Sequence, residues 1–525
     1  MTDNSAEQRM KDDGFQEEAV QLVPDWERLR LENVHPPQWR NPDPAKRYQL
    51  VVVGAGTAGL VSAAIAAGLG ARVALVERRL MGGDCLNVGC VPSKGLLRAA
   101  RAWHDARTAA EEFGGPHVSG PGDFSAALTR MRRVRAALSR VDSAARYRDL
   151  GVDVFFGEAS FTSPDVVSVR GDDGRVAAIH FRRAMIATGG RAAIPPIAGL
   201  ADAGFLTNET VFDIDALPAR LLVIGGGPIG CELAQAFARL GSVVTLLDAG
   251  AQLLPREDAD AARAVERSLV DDGVVIHHRA KVTAARRTGD VRTLSYEVDE
   301  HTAEAAGDAI LVATGRAPNV EGLGLTEAGV SCGAHGIDTN DRFRTTNHRI
   351  FAIGDCASKY QFTHAADAQA RLAVPNALFY GLGGGKASDL VMPWCTYTSP
   401  EVAHVGITAK DVQDAGDRVV SISIPFTDVD RAVLDGDEQG FLRVHLARGT
   451  DRILGATLVA DHAGEMISEV TAAMVNGIGL GGLGKTIHPY PTQAEALRKA
   501  ADAYRRGSLT PRIKRLFQLF FRVTG

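Results

Sequence analysis

Two stretches of this chain follow one plan, and that repeat constrains the fold more than any other feature. Leu50-Val51-Val52-Val53 runs into Gly54-Ala55-Gly56-Thr57-Ala58-Gly59, a small-residue helix follows, and a second apolar run closes on Glu77. Further on, Leu221-Leu222-Val223-Ile224 runs into Gly225-Gly226-Gly227-Pro228-Ile229-Gly230, then a helix, then an apolar run closing on Asp248. The first glycine and the terminal acid stand 23 positions apart in both units. In a dinucleotide-binding unit the first glycine makes the strand-to-helix turn, the second lets backbone approach a pyrophosphate, and the third lets helix pack on strand. The phosphates sit at the helix N-terminus, and the acid accepts from ribose hydroxyls. One such turn is a weak signal. Two copies, each between a strand and a helix and each ending in an acid, predict two dinucleotide sites, and that pairing suggests a flavin and a nicotinamide.

At 525 residues the chain exceeds a single core and divides into about three domains. The 45% hydrophobic and 23% charged fractions are ordinary for a globular protein and exclude disorder, collagen and coiled coil. Lys+Arg 58 against Asp+Glu 63 leaves a net charge of -5, far from the basic balance that nucleic acid demands. Six cysteines cannot make a secreted disulfide framework, and the polar, acidic N-terminus has no apolar signal region, so a cytoplasmic location is expected. The uncharged run 50–71 is long enough to span a bilayer, but five glycines punctuate it and a second strand-like run follows at once. A buried strand-turn-helix is the preferred reading.

Residues 1–47 are polar and proline-dotted and read as a loosely held arm with no part in the chemistry. The first dinucleotide domain is expected over 48–190 and 318–386, with the second inserted at 191–317. After Val391 the pattern changes to strand-like pieces at 419–424, 441–445 and 453–459, then helical periodicity at 463–476, which predicts a third, α+β domain over 387–507. The tail 508–525 places Ile513, Leu516, Phe517 and Phe520 at helical spacing among Arg512, Lys514, Arg515 and Arg522. A helix packed on its own domain or on a second subunit is preferred here to one lying on an anionic membrane.

Cys85 and Cys90 lie in Gly82-Gly83-Asp84-Cys85-Leu86-Asn87-Val88-Gly89-Cys90-Val91-Pro92-Ser93-Lys94. Cysteines five apart are more often inert core thiols than a redox pair. A regular helix would hold their Cα atoms about 8 to 9 Å apart and a strand about 16 Å, beyond the reach of a disulfide. Pairing needs an irregular turn, which Asn87 and Gly89 tolerate, at the mouth of a helix where thiolate is favoured. Zinc binding is the alternative, but no second close pair exists to complete a site. Cys231, Cys332, Cys356 and Cys395 are scattered and read as buried thiols.

With these motifs the chain from about 48 to 505 resembles the pyridine nucleotide-disulfide oxidoreductases. The carrying residues are the doubled glycine turns, the two-cysteine segment, Ala187-Thr188-Gly189, Ala313-Thr314-Gly315-Arg316 and Phe351-Ala352-Ile353-Gly354-Asp355. The resemblance implies an α/β fold with two Rossmann-like dinucleotide-binding domains, for FAD and NAD(P), and a C-terminal α+β dimerisation domain. It implies that Gly54, Gly56, Gly59 and Glu77 hold the adenosine end of FAD and that Asp355 meets its ribitol, with Thr188, Gly189 and Gly354 in the same cofactor-binding motifs. Gly225, Gly227, Gly230, Asp248, Gly315 and Arg316 fall to the NADH or NADPH side. Cys90 would face the flavin and Cys85 would meet substrate, while Lys94 would lie near the flavin, paired with Glu232. The aromatic gate over the nicotinamide pocket is replaced by Pro228.

The informative departure is near the C-terminus. Thiol-reducing members of the family place a base histidine in H-P-T-x-x-E, supplied by the partner subunit of a homodimer. Here the chain reads His488-Pro489-Tyr490-Pro491-Thr492-Gln493-Ala494-Glu495. Anchoring on Pro491-Thr492 and Glu495 puts Tyr490 at the base position, as in the mercuric reductase branch, and leaves His488 with a local hydrogen bond or a supporting role. No cysteine follows Cys395, so the paired tail cysteines of that branch are missing. The expected activity is NAD(P)H-driven reduction of a thiophilic metal ion or small oxidant. A dihydrolipoyl dehydrogenase-like disulfide reductase and a flavin/disulfide redox sensor are the alternatives.

Overall fold

The computed structural model describes residues 25–120, 122–380 and 382–524. Each glycine-turn unit sits in a parallel sheet. In the first, Val152–Phe156, Val73–Glu77, Tyr48–Val53 and Val176–Ile186 lie side by side in that order, all parallel. Val176–Ile186 is 11 residues long, and its early part pairs antiparallel with Val166–Arg170. Its late part takes Ile350–Ala352 as a parallel neighbour, so a strand from far down the chain completes this sheet. Leu50 to Val52 are fully buried, as expected of a parallel strand covered on both faces.

The second unit repeats the layout. Val275–His277, Val243–Leu247, Arg220–Ile224 and Ala309–Val312 form a four-stranded parallel sheet, flanked by the antiparallel trio Lys281–Thr288, Val291–Val298 and His301–Gly307. The third region is a five-stranded antiparallel sheet, ordered Pro393–Thr396, Glu401–Gly406, Ile453–Ala460, Phe441–Ala447 and Val419–Pro425, with the helices Ala463–Val475 and Glu495–Ser508 sharing its apolar core. The two-plus-one α/β architecture expected from sequence is therefore what the chain adopts. No helix among the described residues is long and apolar enough to cross a membrane, and the run 50–71 is the strand, turn and helix anticipated.

Two terminal expectations change. Residues 1–24 of the N-terminal arm lie outside the described residues, but 25–47 are not loosely held. Asp25 caps the helix Trp26–Val34, which buries Val34, and Trp39 donates from its indole to the Val154 carbonyl. Arg30 donates to the Asn87 side chain at 2.6 Å, while the fully buried Arg135 donates to the Asn87 carbonyl at 2.8 Å and to Glu27 at 2.5 Å. The arm thus braces the turn between the two cysteines, a link its polar composition could not disclose. The tail helix Pro511–Thr524 buries no residue, so packing on its own domain is not realised.

Candidate active site

The two glycine turns are near superimposable in their chemistry. Gly54 and Gly225 have φ of +101° and +107°, and a side chain there would meet the carbonyl oxygens of Ala187 and Ala313 at 2.4 and 2.5 Å. A Cβ at Gly59 or Gly230 would lie 1.8 or 1.9 Å from the carbonyl of the first glycine, so each third glycine permits helix-strand contact. Gly56 and Gly227 are the N-caps of Thr57–Gly68 and Pro228–Leu240, and neither cap satisfies the helix N–H groups with a side chain. Those N–H groups are the anion cradle of such a turn. Glu77 accepts from the Ala55 and Arg79 amides at 2.7 and 2.8 Å, and Asp248 from those of Gly226 and Gly250 at 2.5 and 2.7 Å. Both turns open on a single cleft of about 2380 Å³, beyond the ~300–1,000 Å³ of a single-ligand pocket.

The cysteine segment is irregular, as pairing requires. The short helix Gly83–Asn87 carries Cys85 and ends at Val88, and the 24-residue helix Cys90–Phe113 starts immediately after Gly89. A Cβ at Gly89 would press within 2.8 Å of the Asp84 carbonyl, so glycine is needed for the fold-back. Asn87 fixes it from within by donating to the Met81 and Gly83 carbonyls at 3.0 and 2.9 Å. Both cysteines are free thiols facing the cleft. The neighbouring Cys85 holds the Cys90 thiol well below its ordinary pKa, and Thr363, 3.3 Å from the sulfur, and Lys94 act the same way. Cys85 is pushed up, first by Cys90 beside it and then by burial.

Lys94, one turn into the long helix, reaches Glu232 at 2.7 Å and stands over the Tyr397 ring. Glu232, whose side chain is 7% exposed, also accepts from the Tyr397 amide. Burial presses the Lys94 pKa down, but Glu232 more than offsets it and the net shift is upward. Glu232→Gln should lower the unfolding free energy of the holoenzyme by about 1–2 kcal/mol in urea titration. That is less than the ~3–5 kcal/mol of a fully buried pair, because Lys94 is 37% exposed and solvent screens it. Lys94→Met added to Glu232→Gln should cost little more than either alone.

Thr188, Gly189, Gly315, Arg316, Gly354 and Asp355 also line the cleft. Arg316 is held by two carboxylates, Asp84 and, at 3.3 Å, Asp355, which ties the residue before Cys85 to the Gly354-Asp355 turn. Sequence reading missed Asp84, Thr363, Tyr397 and the buried Glu257, which accepts from the Trp394 indole at 2.7 Å and whose pKa burial raises to about 7. No local pattern marks them, since each acts through a partner far along the chain. Two of the four scattered cysteines are not buried: Cys332 is exposed and Cys395, half-buried, lines the cleft beside Trp394 and Tyr397. Among the described residues no His/Cys/Asp/Glu group is arranged to hold a metal ion.

The C-terminal candidates stand apart from this cleft within one chain. Tyr490 is 71% exposed and donates to Asp430 at 2.9 Å, which raises its phenol pKa. The His488 side chain is 6% exposed and bonds Glu469 at 3.1 Å, and Glu495 pairs with Arg498.

Residues 48–370 match the pyridine nucleotide-disulphide oxidoreductase family model, and 392–501 match that family's dimerisation domain. The chain belongs to this family. It is an enzyme family that uses FAD and NAD(P)H, and its dimerisation domain supports a homodimer. The chain is 35% identical over 464 residues to a mercuric reductase of Streptomyces lividans, covering 87% of this chain and 96% of that one. It is 32% identical over 467 residues to a mitochondrial dihydrolipoyl dehydrogenase of Dictyostelium discoideum, covering 87% and 95%. The Cu(II) complex of the HOCl-induced flavoprotein disulfide reductase RclA from Escherichia coli superposes with a TM-score of 0.78 at 29% identity, covering 87% of this chain and all of that one. The site fits the family's cofactors: the uncapped helix N-termini, the crowded glycine turns and the two strand-end acids are what two dinucleotides need. Bound, they supply the two-electron transfer from nicotinamide toward the disulfide.

Proposed function

We propose that this flavoprotein disulfide oxidoreductase draws two electrons from NADH and delivers them, through the Cys85/Cys90 pair, to a thiophilic metal ion or a small electrophilic oxidant. The observation that carries the reading is the chemistry at the family's base position. Releasing a thiol near neutral pH requires a positioned base with a pKa near 7. Tyr490 carries a phenol whose pKa, about 10 unperturbed, Asp430 raises further, so it stays protonated. A phenol oxygen can instead stand beside a soft ion held by two thiolates. The mercuric reductase relatives and the Cu(II)-bound neighbour agree with this substrate class. Reduction opens the disulfide to two thiols; these give two electrons to one Hg(II) or to two Cu(II) and close again. The ion arrives as a small thiol complex.

The dihydrolipoyl dehydrogenase reading is favoured by one feature, the imidazole of His488 oriented by Glu469. NADH oxidation with Hg(II)-thiol complexes or Cu(II) should be at least ~10-fold faster than with oxidised lipoamide. Faster turnover with lipoamide overturns the metal reading and makes His488 the base.

The nicotinamide preference follows from the second turn. Asp248 repels a 2′-phosphate, and the residue after it is Ala249 and not an arginine. NADH should show a kcat/KM about 10-fold or more above NADPH; the reverse order removes the assignment.

A further inference from the structure

The helix Pro511–Thr524 is the part of the molecule that the redox chemistry leaves unexplained. All its residues are exposed, the large apolar ones from 37% at Ile513 to 81% at Val523, and among the described residues its hydrogen bonds stay within 510–524. At 100° per residue, Ile513, Leu516, Phe517, Leu519, Phe520, Phe521 and Val523 cover an arc of about 200°. Lys514, Gln518, Arg522 and Arg515 fill the remaining ~160°, and Arg512, in the first turn, falls within the apolar arc at the angle between Leu519 and Val523. There is no acid between 509 and 525, and among the described residues none of the four cations makes an ion pair.

We infer that this helix seats the enzyme on an anionic lipid surface, lying in the plane of the headgroups with its phenylalanines buried among the acyl chains. Charge selects that occupant. A helix laid in a protein groove leaves its polar face to water, where both signs serve equally. A polar face whose only charges are cationic, opposite a broad Phe/Leu face, is the pattern of an interfacial helix. The rest of the chain carries 54 cations against 63 acids, net -9, so the surrounding body has no general attraction for such a surface and the tail must supply it. The 14 described residues of the helix extend about 21 Å, and no helix among the described residues is long and apolar enough to cross a membrane.

The test is flotation of the holoenzyme, followed by its flavin absorbance, with vesicles of phosphatidylcholine alone or with 30% phosphatidylglycerol. Full-length enzyme should float with the anionic vesicles only, and raising salt should release it. Lys514→Gln, Arg515→Gln and Arg522→Gln together should weaken partitioning about 10²-fold, at roughly fivefold per cation. Phe517→Ser with Phe520→Ser, and a chain ending at Ser508, should not float, while all variants keep their NADH oxidation rate in solution. Because the point variants leave the helix in place, a truncation that misfolds does not decide the matter. Equal flotation on both vesicle types, or none on either, overturns the inference. Loss of dimer on truncation without flotation of the full-length enzyme assigns the helix to a second copy of the chain instead.

Discussion

Replacing Cys90 with serine should cut acceptor-dependent NADH oxidation by at least ~10³-fold while leaving FAD bound, because the pair loses the member held as thiolate. Cys85→Ser should be as inactive toward acceptors but opposite in its spectrum. A serine hydroxyl in place of the Cys85 thiol can donate to Cys90, and Thr363 and Lys94 remain in place. Cys90 therefore stays ionised in the resting protein, and a thiolate against the flavin gives a long-wavelength absorbance band. The band should fade as pH falls through the Cys90 pKa, with a midpoint below the ~8.5 of a free thiol. Cys85→Ala, which removes the donor, should move that midpoint upward. Cys90→Ser should show no band at any pH. A band in Cys90→Ser and none in Cys85→Ser would reverse the two roles.

The parts of this site that the sequence disclosed are those whose physics is local. A glycine turn needs its glycines within six residues, and a strand-end acid follows at a fixed distance, so both glycine turns and three of the five strands of the antiparallel sheet could be read directly. The pairing of Lys94 with Glu232, 138 positions apart, came only through family resemblance. The bracing of Asn87 by Arg30 and Arg135 could not be read at all. Its members are spread over more than a hundred residues and look, one by one, like surface charges on a polar arm and an ordinary helix. The same holds for Asp84 and Asp355 on Arg316, where an acid in a cysteine motif gains meaning only once a distant arginine arrives. Cys332 and Cys395 show the converse: thiols are usually buried, and only the fold shows which ones reach solvent or the cleft.

Mixed dimers should show whether the site is shared between two chains. Tyr490 is exposed and directed at Asp430 of its own chain, outside the cleft that holds Cys85 and Cys90. Among the described residues, three buried polar atoms of the same short segment, on His488, Gln493 and Glu495, have no hydrogen-bond partner. If a twofold dimer brings Tyr490 of one subunit to the thiols of the other, Tyr490→Phe should lower turnover by roughly 10²-fold. Chains carrying Cys85→Ser alone are inactive for a separate reason. Co-refolding equal amounts of the two variants places one undamaged pair of thiols opposite one undamaged tyrosine in every mixed dimer. Half of the dimers are mixed and each has one working site, so activity should rise to about a quarter of wild type, well above either parent. Activity that stays at the level of the parents would place Tyr490 outside the shared site. In that case His488, oriented by Glu469, becomes the group to test in the same cross, with His488→Gln in place of Tyr490→Phe.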